Sequence, residues 1–156
     1  MGTFNVTGAG GTTGHPSNGR TPYLVENTID VSAVDGDSGV ADGDFLQVLD
    51  IPAETLVMAC GVQVLTALSN SATIDLGDGD TADIYVDGDT NATGYSVVHP
   101  DLSALGKVYG SADTIDAKIH GAASSAGKIR VWAVMCDISG VSEIDTNTDS
   151  QHDTES

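Results

Sequence analysis

Basic residues are what this sequence has least of. Its 156 residues hold five Lys plus Arg against 23 Asp plus Glu, a formal net charge of −18 at pH 7. Nucleic-acid affinity is built largely from Lys and Arg neutralising phosphates, and anionic lipid heads draw on the same residues. Neither nucleic acid nor a membrane surface is therefore expected as a partner. Helical periodicity is also missing. No window of eleven or more residues keeps a 3.6-residue apolar repeat, which excludes helical bundles and βαβ folds. Met1–Val6 lacks the basic and apolar regions of a secretory signal, and Val6 stands where a myristoylation pattern needs Ser or Thr. The chain is expected to be made and kept in the cytosol until assembled, and to carry no lipid.

Catalytic patterns are absent too. His15, His99, His120 and His152 are scattered, with no His-x-x-x-His spacing and no Gly-x-Ser-x-Gly elbow, so zinc and triad chemistry have no foothold. Gly8–Gly14 looks like a dinucleotide loop, but Thr13 occupies the third glycine position and no strand precedes it. No enzyme and no cofactor are expected. The only cysteines, Cys60 and Cys136, lie inside apolar runs, which reads as two reduced core thiols, with a disulfide between neighbouring strands as the alternative. The glycosylation patterns at Asn5 and Asn91 read as chance without a secretory signal.

What the chain does have is length for one core and an alternating pattern. A single domain of this size removes roughly 70% of its unfolded surface from water. Hydrophobic residues make up 40% of it. Tyr23, Val25, Ile29 and Val31 share one face, with Glu26, Thr28 and Asp30 between them, as in a half-buried strand. Further runs are 45–51, 56–68, 73–76, 83–86, 95–98, 107–109, 114–119 and 128–138, punctuated by Asp-Gly, Asn-Ser, Pro-Ala, His-Pro and Ala-Gly. Short strands at close spacing predict an all-β fold, an antiparallel β-sandwich or jelly-roll-like single domain over residues 23–138. Residues 1–22 are Gly- and Thr-rich and read as an extended arm, and 139–156 as an acidic, polar tail.

Two strands break the alternation. Leu56–Leu65 is apolar on both faces except at Gln63, and Ile129–Met135 is apolar on both faces after Arg130. A sandwich strand meets the opposite sheet with one face only, so the second face needs a loop, the arm or another subunit over it.

Carboxylates cluster from Asp75 to Asp89. Asp75, Asp78, Asp80 and Asp83 are weak calcium candidates, since Ca²⁺ takes six to eight oxygens. The EF-hand pattern fails, however: counted from Asp78, Ala82 stands fifth, Asp83 replaces the required Gly at the sixth position and Asp89 the Glu at the twelfth. Turns whose Asp side chains cap their own backbone are the main expectation, and no metal is predicted; 35–44 reads as a longer acidic loop. Nineteen of the acids are Asp. Such an excess with so little Lys fits a halophilic setting, where salt screens self-repulsion.

Asp44–Val57, Gly61–Ala67 and Thr73–Asp80, followed by Ser111–Asp116 and Ala126–Val134, resemble small structural proteins of tailed-virus particles, over about residues 44–138. The resemblance implies a capsid decoration or cement protein: a β-sandwich homo-oligomer, with a trimer favoured, bound to the major capsid protein on the outer surface of the virion and reinforcing it. The alternative is a tail or fibre component with a lectin-like sandwich that contacts the host surface, though neither a coiled coil nor a repeating shaft is present. In the arm, Gly8, Gly10, Gly11 and Gly14 let an extended backbone lie close against another surface, and Phe4 and Val6 offer small anchors, so these six are the expected capsid contacts.

Overall fold

A computed structural model describes residues 21–34, 39–89, 96–97 and 106–139. Among these described residues nine strands follow in order: β1 (Tyr23–Asp30), β2 (Phe45–Ile51), β3 (Thr55–Thr66), β4 (Thr73–Gly77), β5 (Val86–Asp89), β6 (Ser96–Val97), β7 (Lys107–Tyr109), β8 (Asp113–His120) and β9 (Lys128–Asp137). Among the described residues the helical turns are two 3₁₀ segments, Val31–Ala33 and Ser69–Ser71. The first is capped by Asp30, whose carboxylate accepts from Ser32 N, and it ends β1 one residue before the expected Val31.

All pairings are antiparallel. One sheet runs β1-β9-β3, with β6 and β7 sharing the far edge of β3, and the other runs β2-β8-β4-β5. The chain crosses between sheets at β1 to β2, β2 to β3, β3 to β4, β5 to β6, β7 to β8 and β8 to β9, so apart from β4 and β5 the neighbours within each sheet are distant in sequence. This is the jelly-roll form of the expected sandwich.

Period 2 builds the core. Val57, Val62, Val64, Ile129, Val131 and Met135 of the first sheet meet Ile51, Ile74, Leu76, Ile115 and Ile119 of the second, all nearly inaccessible to solvent. Each such side chain contributes roughly 1.5–3 kcal/mol relative to leaving it in water. Asn27 falls on the inner face between Val25 and Ile29 and donates from Nδ2 to Val48 O across the sheets at 3.1 Å. That bond ties the edge strand, whose Asn27 stays exposed to solvent, to β2 of the other sheet.

One strand lies elsewhere than expected. Residues 83–85 are turn, and β5 starts at Val86, because the backbone pairs again with β4 only where Tyr85 N donates to Leu76 O at 2.8 Å. The loop before it folds back tightly: a Cβ on Gly77 would lie 2.0 Å from Thr81 O. Only glycine allows the backbone to approach so closely.

Candidate assembly surface

The outer face of the first sheet follows from its register. Leu24 pairs with Val134, Glu26 with Trp132, Thr28 with Arg130 and Asp30 with Lys128. On the other side of β9, Leu56 is opposite Cys136, Ala59 opposite Val134, Gly61 opposite Trp132 and Gln63 opposite Arg130, while Val108 of β7 stands opposite Leu56. A bulge between Val57 and Ala59 adds Met58. The face therefore divides lengthwise. Its half nearest the start of β1 is apolar, with Val108 55% exposed, Leu24 61% and Met58 42%. Its other half is a set of paired charges.

Those charges cancel. Lys128 Nζ is 3.2 Å from Asp30 Oδ2, Arg130 Nη1 is 3.9 Å from Glu26 Oε2, and Arg130 Nη2 donates to Gln63 Oε1. The second sheet presents a different outer face. Asp75 and Asp116 lie beside Lys118, whose ammonium stands 3.9 Å from Asp75 Oδ2 and 5.7 Å from the centre of the exposed Phe45 ring. Burial, with Asp113 and Asp78 nearby, pushes the Asp116 carboxyl above its ordinary value against the pull of Thr114.

The carboxylate-rich stretch resolves into separate roles. Asp78 is a structural clasp between the sheets. Its Oδ1 accepts from Asp80 N at 3.0 Å and Thr81 N at 2.9 Å, which closes the turn after β4. Its Oδ2 accepts from Lys107 Nζ and, at 2.6 Å, from Tyr109 OH, both on β7 of the other sheet. Tyr109 has a single hydroxyl proton and gives it to Asp78, so the 2.6 Å contact with Tyr85 runs from Tyr85 OH to the Tyr109 oxygen. Burial pushes the Asp78 carboxyl up, but Lys107, Tyr109 and the two amides together hold it below the usual carboxylate range. Burial likewise raises both tyrosines well above theirs.

Of the other calcium candidates, Asp75 Oδ1 accepts from Gly88 N at 2.8 Å and anchors β5, whereas Asp80 and Asp83 are exposed turn residues. Asp78 spends its oxygens on Lys107, Tyr109 and the turn. Among the described residues no three His, Cys, Asp or Glu side chains converge to hold a metal ion.

Phe4, Val6, Gly8, Gly10, Gly11 and Gly14 lie outside the described residues, as do most of the tail and His15, His99 and His152. Both cysteines are free and buried, on opposite faces of the sheet: Cys60 pairs with Ala133 toward the core and Cys136 with Leu56 toward the outer face. Burial pushes the Cys60 thiol up to about 12. The doubly apolar character of β3 and β9 pointed to the outer face. Leu24 and Val108, which extend it on either side, sit in strands that look ordinary in sequence. Lys107 carried a signal that went unread: it is one of five basic residues in an acidic chain and opens a strand with a tyrosine two positions on.

No protein-family model and no curated protein sequence matches the chain. Solved structures do. A chain of the cyanophage Pam1 capsid asymmetric unit superposes with a TM-score of 0.64 at 17% identity, covering 87% of this chain and 99% of that one. A chain of the capsid of Ralstonia phage GP4 gives a TM-score of 0.54 at 15% identity, covering 79% and 88%. One from the acidic stable capsid structure of Helicobacter pylori bacteriophage KHP30 gives 0.50 at 11%, covering 75% and 89%. At these identities the likeness is one of fold: this chain has the sandwich that is found in chains of phage capsid structures.

Proposed function

We propose that the protein is a non-enzymatic structural component of a virion, a decoration protein that binds the major capsid protein on the outer shell as a homo-oligomer and reinforces it. The observation that carries this reading is the end-to-end likeness to a chain of the Pam1 capsid, 99% of which is covered. A sandwich whose outer sheet face remains apolar is also what an assembling protein requires. In this role the arm, residues 1–22, clasps the shell through Phe4 and Val6, and Gly8, Gly10, Gly11 and Gly14 allow close backbone contact. Ordering that arm costs roughly 1–2 kcal/mol per residue, which contacts with the shell have to offset. The apolar strands all lie beyond it. Deleting residues 1–22 is therefore expected to leave the melting transition of the body almost unchanged and to reduce co-sedimentation with shells stripped of the protein. Undiminished co-sedimentation of the truncated chain would remove the arm from the account, and failure of the full chain to bind stripped shells would remove the decoration role.

A further inference from the structure

We infer that the outer face of the β1-β9-β3 sheet is where one copy of this chain meets another; the inference rests on the virion reading and deepens it by naming the surface of self-association. The electrostatics favour a second copy over a different partner. Two bodies that each carry −18 repel wherever their carboxylates face each other. On this face the strands place two carboxylates, Glu26 and Asp30, and each is matched by a cation, Arg130 and Lys128. It is a neutral window through which acidic copies can approach, whereas a cationic partner would be drawn to the carboxylates elsewhere.

Size and chemistry agree. β9 is ten residues long and is flanked along its length by β1 and β3, with the short β6 and β7 adding a partial fourth row beyond β3. At ~3.4 Å per residue and ~4.8 Å between strands, the face spans roughly 600 Å² in projection. A standard interface takes about 800 Å² from each partner. Leu24, Met58 and Val108 stand out from it, with Leu56, Trp132 and Val134 half-buried among them. The paired charges and Gln63 form a polar border on one side. An apolar patch flanked by satisfied polar groups fits the make-up of a protein interface.

The test is sedimentation velocity on the full chain over a range of concentrations in 1 M salt. The wild type is expected to sediment as a multiple of 15.8 kDa. The double variant Leu24→Glu/Met58→Glu puts unpaired charge on the apolar half of the face and should raise the dissociation constant about thirtyfold or more. Both residues are solvent-exposed in the single chain, so the melting temperature should hold. If the Glu pair does not fold, Leu24→Ala/Met58→Ala reads the same surface with a smaller shift. Phe45→Glu, on the outer face of the other sheet, should leave association unchanged.

A wild type that stays monomeric, or a double variant that associates as before, overturns the inference; the first result also removes the homo-oligomer from the proposed function, and neither touches the place of the chain in a virion. A monomeric wild type whose double variant loses binding to stripped shells also overturns it, and assigns the face to the capsid protein. Absence of the chain from purified particles defeats the virion reading separately.

Discussion

Replacing Asp78 with Ala should be among the most damaging single changes in the sandwich. The carboxylate has no solvent exposure and takes four hydrogen bonds, two closing its own turn and two reaching β7 in the other sheet. Removal leaves Lys107 without its counter-ion and frees the Tyr109 hydroxyl in a buried site. Breaking one partner of a buried ion pair costs about 3–5 kcal/mol. Lys107 is 27% exposed and can recover part of its hydration, so the lower end applies. A loss of about 3 kcal/mol corresponds to roughly 6–12 °C in melting temperature for a chain of this size. The effect has a pH signature. The Asp78 carboxyl is held below its ordinary 3.8 in the folded state, so its stabilisation is fully present above that value and is lost as pH falls through the lower folded value. Wild type and Asp78→Ala should converge in acid. Asp116, with its carboxyl raised chiefly by burial, works in the opposite direction: it penalises the folded state when ionised and relieves it as pH falls, in both proteins but less in Asp78→Ala, which lacks the Asp78 charge that helps raise it. Thermal melts of the pair at pH 7 and at about pH 2.5 provide the test. A difference below about 1 kcal/mol at pH 7, or one that stays constant into acid, would refute the clasp.

Three other outcomes follow from the geometry. Gly77→Ala should cost at least about 1–3 kcal/mol by denaturant melts, because the new methyl collides with the backbone at Thr81 and Ala82 rather than with a side chain able to move. Lowering ionic strength from 1 M to 0.01 M extends the screening length from about 3 Å to about 30 Å, so the −18 charge should lower the melting temperature and weaken association, read by calorimetry and sedimentation. Cys60, buried and with its thiol pushed up to about 12, should react with a thiol reagent at pH 8 only at the rate of unfolding, as mass spectrometry of the labelled protein can show.

The strands were legible in the sequence because both of their signals are local: alternation along each run, and Gly, Pro or Asn between runs. β2 and β7 begin and end where that pattern says they should. Sheet membership was not legible, since it depends on pairings such as Tyr23 of β1 with Met135 of β9, far apart in the chain. The same division runs through the site. Asp78 is a turn residue through Oδ1, whose partners lie two and three residues away. Its other oxygen binds residues 29 and 31 positions on, which no local pattern announces. Strand 83–86 was misplaced for a related reason: its alternation is real, but the Asp78 turn and the tight approach at Gly77 hold the chain off the β4 edge until Tyr85.

In the proposed role this chain is an abundant part of a viral shell. Gel electrophoresis with band quantification, on purified particles of the virus that encodes it, tests this most directly. A decoration protein is expected at hundreds of copies per particle, in fixed ratio to the major capsid protein. A dozen copies or fewer would place the protein in a tail, and none at all would contradict the account.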